Sequence, residues 1–138
     1  MKQKFHTITI QTHGAGLYAF TDKVTAFIAG SGIADGLLTC LIRHTSASLL
    51  IQENADPAVQ HDLVAALARL APENFPYTHD EEGPDDMPSH IKSALTQTSL
   101  SVPVRGGEML LGTWQGLYLF EHRRAAHRRE VVMHLIGE

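Results

Sequence analysis

The sequence predicts a single α+β domain over residues 1–138, a mainly antiparallel β-sheet or sandwich carrying a few short helices. Two observations carry this expectation. Segments with period-two alternation or short apolar runs recur from one end of the chain to the other, and only three stretches carry a helix start signal. A chain of 138 residues is also the size of one ordinary domain, able to bury most of its apolar surface without covalent staples. No internal repeat, low-complexity segment or linker divides it.

Phe5 to Gln11 sets His6, Ile8 and Ile10 against Phe5, Thr7 and Thr9, the alternation of a strand. Thr21-Asp22 ahead of Val24, Phe27 and Ile28 predicts a capped amphipathic helix that stops at Gly30-Ser31-Gly32. Gly36 to Arg43 and Ala47 to Gln52 read as buried strands with the polar step His44-Thr45-Ser46 between them. Asp56-Pro57 opens a second helix, with Val59, Leu63, Ala66, Leu67 and Leu70 on one face; proline loses nothing at a first helical position, where its missing N–H would be unsatisfied. Residues 72–88 form a long loop with four of the six prolines and an acid cluster, and loops of that length in compact domains are functional or disordered. We read this one as functional, because it carries Tyr77, His79 and the aspartates. Pro88-Ser89 opens a short helix through Leu95. Strands then follow at Leu100–Val104, Met109–Leu111 after the Gly106-Gly107 turn, Leu117–Glu121 and Glu130–Ile136.

Composition removes several function classes. The hydrophobic fraction of 43% and the charged fraction of 19% are those of an ordinary globular protein. Cys40, the only cysteine, lies in an apolar run and reads as a small buried hydrophobe. No run reaches membrane-spanning length and no charged start precedes a long apolar stretch, so the expected location is the cytoplasm, with no membrane partner. A formal charge of −4 argues against nucleic acid as a partner, since binding it requires neutralising phosphates. The charge is uneven: acids gather at Asp80 to Asp86, while Arg123, Arg124, Arg128 and Arg129 crowd the C-terminal end.

Three of the nine histidines sit in polar contexts: His44 in Arg43-His44-Thr45-Ser46, His79 in Tyr77-Thr78-His79-Asp80, and His90 after Asp85-Asp86-Met87-Pro88-Ser89. Neutral imidazole both binds divalent metals and shuttles protons near neutral pH. The spacing of His79 and His90 matches no standard zinc motif. Their flanking aspartates nevertheless suggest a three-ligand site with an open position, with His44 as the third imidazole. The competing reading is a solvated acidic loop with two surface histidines. His44-Thr45-Ser46 with Ser48 offers donors for a phosphate, or forms a plain polar turn. A serine nucleophile lacks the G-x-S-x-G elbow that would expose it. Trp114 reads as a core or interface anchor with Gln115 as a hydrogen-bond partner. His6, His13, His61, His122, His127 and His134 invite no role beyond a surface or satisfied side chain.

Taken together, Ser99-x2-Val102-x-Val104-x2-Gly107-x4-Gly112-Thr113-Trp114-Gln115-x-Leu117 resembles the signature of the YjbQ family, sometimes called secondary thiamine-phosphate synthases. His44-Thr45-Ser46-Ala47, Glu53-Asn54-Ala55-Asp56-Pro57-x-Val59, Asp62, His79, Asp85-Asp86-x3-His90-Ile91-Lys92, Glu121 and Arg128-Arg129 agree in order, so the likeness spans nearly the whole chain. The resemblance implies a compact α+β domain assembled as a homotrimer, with a weak thiamine-phosphate synthase activity. That reaction joins a pyrimidine-methyl diphosphate to a thiazole phosphate and releases diphosphate, whose departing charge needs a cation. Dedicated enzymes for it resemble a (β/α)8 barrel, for which this chain is too short. One departure stands out: similar chains continue the Glu121 segment with a Phe-Asp-Gly-Pro-Arg type turn, and here an arginine, Arg123, replaces the acid.

The resulting expectation is an enzyme acting on a small phosphorylated molecule with a divalent cation, zinc or magnesium. Its metal ligands are His44, His79 and His90. Its catalytic groups are His44, Asp86 and Glu121, and Thr45, Ser46, Asn54, Trp114, Gln115, Arg128 and Arg129 bind substrate. The alternative is a non-catalytic metal- or small-ligand-binding module.

Overall fold

The structure, a computed structural model, describes residues 1–138. In chain order the elements are β1 (Lys2–Thr12), β2 (Gly16–Ala19), α1 (Thr21–Ala29), β3 (Gly36–Ile42), β4 (Ala47–Glu53), α2 (Pro57–Leu70), α3 (Asp86–Leu95), β5 (Ser99–Arg105), β6 (Glu108–Met109), β7 (Gln115–Glu121) and β8 (His127–Gly137). Five strands form one sheet in the order β1-β8-β3-β5-β6, and three form a second in the order β2-β7-β4. Every ladder is antiparallel. This is the α+β fold that the alternation and the three helix signals predict.

The core lies between the two sheets. Alternate residues of the large sheet, among them Leu38, Cys40, Val102, Val131, Met133 and Leu135, meet Leu49, Leu117 and Leu119 of the small one, while Val24 and Ile28 of α1 close one side. Each such side chain contributes on the order of 1.5–3 kcal/mol by leaving water. Burial pushes the Cys40 thiol up to about 12, so it stays a neutral hydrophobe. At the end of the β3–β8 ladder Gly36 lies opposite Gly137, and a Cβ on either would collide with the backbone at Ile136 or Asp35.

Several elements differ from expectation. β2 carries no sequence signal of its own; its pairing with β7 makes it a strand. The strand expected at Met109–Leu111 is only Glu108–Met109. α2 begins as read, with the Asp56 carboxylate accepting from Ala58 N at 2.9 Å, yet none of its residues is fully buried and Leu70 is exposed. The consequential difference is at α3, which starts at Asp86 rather than Pro88. Pro88 sits inside the first turn, where helical N–H groups lack partners anyway. The helix therefore includes Asp86 and places it one turn before His90.

Candidate metal centre

The site is assembled from the first turn of α3, the loop before it and the turn between β7 and β8. Residues four apart on a helix share a face, so Asp86 and His90 point the same way. Asp86 Oδ2 lies 3.1 Å from His90 Nε2 and 2.7 Å from His79 Nε2, the latter supplied by the preceding loop. One ligand atom from each of His79, Asp86 and His90 falls within 4.8 Å of the others. The Asp86 side chain is only 3% exposed, against 48% for His79 and 31% for His90, so the cluster opens to solvent on the imidazole side.

Groups around the cluster fix its geometry. His90 Nδ1 lies 3.0 Å from the Thr45 carbonyl, which can only accept, so this nitrogen carries a proton. Nε2 then faces the carboxylate either as the second N–H of an imidazolium or as a lone pair with a cation between them. Carbonyl partners of this kind orient metal-binding imidazoles. On the other side, Arg123 Nη1 donates to Asp86 Oδ1 at 2.7 Å and Arg123 Nε to Asp85 Oδ2 at 3.2 Å, while Nη2 reaches the Glu82 carbonyl at 3.1 Å. Arg124 N adds a bond to Asp85 Oδ2 at 2.9 Å. Burial pushes the Asp86 carboxyl up, but the His79 hydrogen bond, His90 and Arg123 outweigh it and hold the group below the usual carboxylate range. Asp85 behaves alike: its desolvation is overcome by the Arg124 N–H and by Arg123. Arg123, the residue by which the chain departs from the expected turn, therefore pins both aspartates.

The remaining expected residues go elsewhere. His44 is not part of the cluster in this chain: its Nε2 accepts from Glu130 N at 2.8 Å, which commits that lone pair to β8. Burial, reinforced by Arg129, lowers its pKa. Glu121, expected to be catalytic, is wholly buried. Its Oε1 accepts from Thr12 Oγ1 at 2.6 Å and Arg129 Nε at 2.8 Å, and its Oε2 from Arg129 Nη2 and from the backbone N–H groups of His122 and Arg123. Those donors keep it ionised despite its desolvation. Arg129 is spent on this carboxylate and on Ser46, whose hydroxyl accepts from it at 2.9 Å, so neither is free for a phosphate. Arg128 is exposed on the opposite face of β8. Thr45 contributes its carbonyl rather than its hydroxyl.

Asn54, Trp114 and Gln115 lie at the far end of the small sheet. Ala47 pairs with Glu121 at one end of the ladder and Glu53 with Gln115 at the other, roughly 20 Å away at about 3.3 Å per residue. Asn54 Nδ2 reaches the Thr113 and Gln115 carbonyls, and Gln115 Oε1 accepts from Gly112 N, so both amides tie a turn. Trp114 is 64% exposed rather than a core anchor.

Sequence reading missed His122. Its ring is buried, with Nε2 2.9 Å from Ser48 Oγ, which in turn accepts from Thr96 Oγ1 at 2.6 Å. Nδ1 has no partner. Burial, with the Lys92 ammonium adding to it, pushes the imidazole down to about 3. No local pattern signals this, because the ring's partner, Ser48, and Thr96 beyond it lie far back in the chain.

Comparison with known proteins agrees with this architecture. A family model described as UPF0047 protein YjbQ-like matches residues 6–138. The chain belongs to the YjbQ family. It is 50% identical to UPF0047 protein sll1880 of Synechocystis over 99% of this chain and 94% of that protein. It is 45% identical to UPF0047 protein YjbQ of Salmonella typhimurium, covering 96% of each. Among solved structures, an uncharacterised YjbQ/UPF0047 family protein of Clostridium acetobutylicum superposes with a TM-score of 0.88 at 30% identity, over 95% of this chain and 99% of that one. The conserved hypothetical protein TT1486 of Thermus thermophilus gives 0.85 at 34% identity, with the same coverage. The YjbQ family is one whose function is uncharacterised, and no helix of this member is long and apolar enough to cross a membrane.

Proposed function

We propose that this protein is a cytoplasmic small-molecule enzyme acting on a phosphorylated substrate, with a divalent cation held by His79, Asp86 and His90. The observation that carries the proposal is the pair of imidazole nitrogens turned onto one buried carboxylate oxygen, one of them oriented by the Thr45 carbonyl. Two nitrogen donors and one carboxylate suit zinc or a similar transition metal, whereas magnesium prefers oxygen ligands alone. A bound cation supplies Lewis acidity toward a phosphoryl oxygen and offsets the charge of a departing diphosphate. Arg123 keeps the Asp86 carboxylate ionised and in place. Because Arg129 is committed to Glu121 and Ser46, and Arg128 lies on the opposite face of β8, the phosphate charge has to be met at the cluster rather than by the arginine pair. The transfer implied by the resemblance, of a thiamine-phosphate synthase type, is the first reaction to assay.

Assembly as a homotrimer belongs to the same proposal. It is supported by the outer face of the large sheet, where Phe5, Leu37, Leu41 and Ile136 are exposed together. Sedimentation at micromolar concentration is expected to give three chains per particle, and a monomer would refute it.

The decisive experiment combines metal analysis of the purified protein with chelation. Chelation is expected to abolish both binding of phosphorylated probes and turnover. Phosphate ligands binding unchanged in excess chelator, with His90→Ala equally active, would overturn the metal-dependent reading. The saturation of Glu121 favours a second reading, a non-catalytic metal-binding module, since it removes one of the two buried acids expected to act as catalysts. Tight metal retention with no turnover on any phosphorylated substrate would establish that alternative.

A further inference from the structure

The outer edge of His79 also forms one wall of a cavity of about 320 Å³, lined by Glu73, Phe75, Tyr77, Asp80 and Met87 together with Gly83 and Pro84. A volume in this range suits a small organic group. Its aromatic side is built rather than incidental. Tyr77 N donates to the Phe75 carbonyl at 2.9 Å and the Tyr77 hydroxyl to the Pro72 carbonyl at 2.7 Å, which folds the loop back on itself. The two rings are thereby held with centroids 5.0 Å apart, tilted by 46°. Met87 follows Asp86 directly, so the same first turn of α3 serves the cluster and the cavity.

Away from the His79 wall, the one unpaired charge at this cavity is acidic. Glu73 is neutralised by Arg124, whose Nη2 lies 2.7 and 2.8 Å from its two carboxylate oxygens. Asp80 is exposed and makes no ion pair or side-chain hydrogen bond. No lysine or arginine lines the cavity. An anionic group entering here meets the unpaired Asp80 carboxylate, which repels it. An organic cation is attracted by that carboxylate, and the Phe75 and Tyr77 rings in the lining can add a cation–π contact.

We propose that this cavity is the specificity pocket of the cluster and takes a compact ring-bearing amine in its protonated form. The proposal rests on the reading of His79 as a site residue, and it assigns the organic end of the substrate to the Phe75–Tyr77 side. Any phosphate then lies on the other side of the His79 ring.

The test uses full-length protein labelled at the methionine methyl groups, of which the chain has four, with Met87→Leu assigning the resonance beside the cavity. Benzylamine is expected to shift the Met87 methyl saturably, and benzoate, of nearly the same shape but opposite charge, to bind at least about tenfold more weakly. Asp80→Asn, a change at an exposed side chain, is expected to remove most of that preference while leaving the remaining spectrum unchanged. Benzoate binding as well as benzylamine, a Met87 methyl that neither probe moves, or an unchanged preference in Asp80→Asn would each overturn the pocket assignment. The titrations are run on metal-free protein and zinc is titrated separately. A cluster that fails to take up zinc would therefore overturn the metal centre while leaving the amine result readable by itself.

Discussion

Two buried carboxylates, Glu121 and Asp86, each meet an arginine from the C-terminal part of the chain, and they do different things with it. At Glu121 both oxygens are filled by protein donors: the Arg129 guanidinium, the Thr12 hydroxyl and two backbone N–H groups. At Asp86 one oxygen is given to Arg123, while the other faces two imidazoles that solvent can reach. The first arrangement is closed and holds β1, β7 and β8 together, with Arg129 also gripping Ser46 just ahead of β4. The second leaves ligand atoms available to a cation. What separates a structural acid from a site acid here is the number of its acceptor positions that the protein has already filled.

Glu121, His122 and Arg123 make the contrast within three consecutive residues. Glu121 enters the core ion pair, His122 turns inward onto Ser48, and Arg123 reaches the open cluster. Substitutions along this stretch should therefore separate stability from metal binding.

The largest effect is expected from Arg129→Met, which leaves the Glu121 carboxylate buried without its cation. Breaking one side of a buried pair costs about 3–5 kcal/mol. Chemical denaturation should register that loss, and a change under about 1 kcal/mol would show that Glu121 is not the closed site described.

Next in size is a pH effect at His122. Its folded pKa is depressed to about 3 from an ordinary 6.5, so as pH falls below 6.5 the unfolded chain takes up a proton that the folded one refuses. Stability is then lost on acidification, by on the order of 3 kcal/mol between pH 6.5 and about pH 4. Glu121, Asp85 and Asp86 act in a lower window, which opens before the His122 one has closed. Their folded pKa values lie below the ordinary carboxylate value, so their stabilisation is present above that value and disappears only as pH drops through the folded one. Stability measured against pH should show both steps, and His122→Gln should flatten the upper one. An upper step of unchanged size in His122→Gln would assign it to another group, His44 being the first to test.

At the open site, Arg123→Gln is expected to weaken zinc binding about 10–100-fold, the usual effect of removing a partner that orients a ligand. Competition against a chromogenic chelator reads this directly. Unchanged affinity would mean that Asp86 needs no support from the arginine that pins it. The smallest effect belongs to Trp114→Ala, far from the cluster in this chain, where zinc affinity should stay the same and stability should move by no more than about 0.5 kcal/mol. A large loss of zinc affinity would instead bring the Trp114 end of another copy to the cluster.

Much of the fold is legible in the residues because its causes are local. The alternation of Phe5 to Gln11 and of Val132, His134 and Ile136 marks β1 and β8, and Asp56-Pro57 marks the start of α2 where its carboxylate caps the helix. The error at α3 had a local cause as well. Starting the helix at Pro88 leaves Asp86 in a loop and hides its one-turn spacing to His90, the signal that pairs them.

By itself the sequence determined the α+β class, the family, most strands and the chemical types gathered around the acid loop, because alternation, capping and motif order reside in neighbouring residues. Only the tertiary structure decided which of those groups meet. It turned His44 toward Glu130 N and made Asp86 the partner of both His79 and His90. It closed Arg129 on Glu121, and left Trp114 at the other end of the sheet. These choices depend on strand register and on which lone pairs are already occupied, and both arise from contacts between residues far apart in the chain.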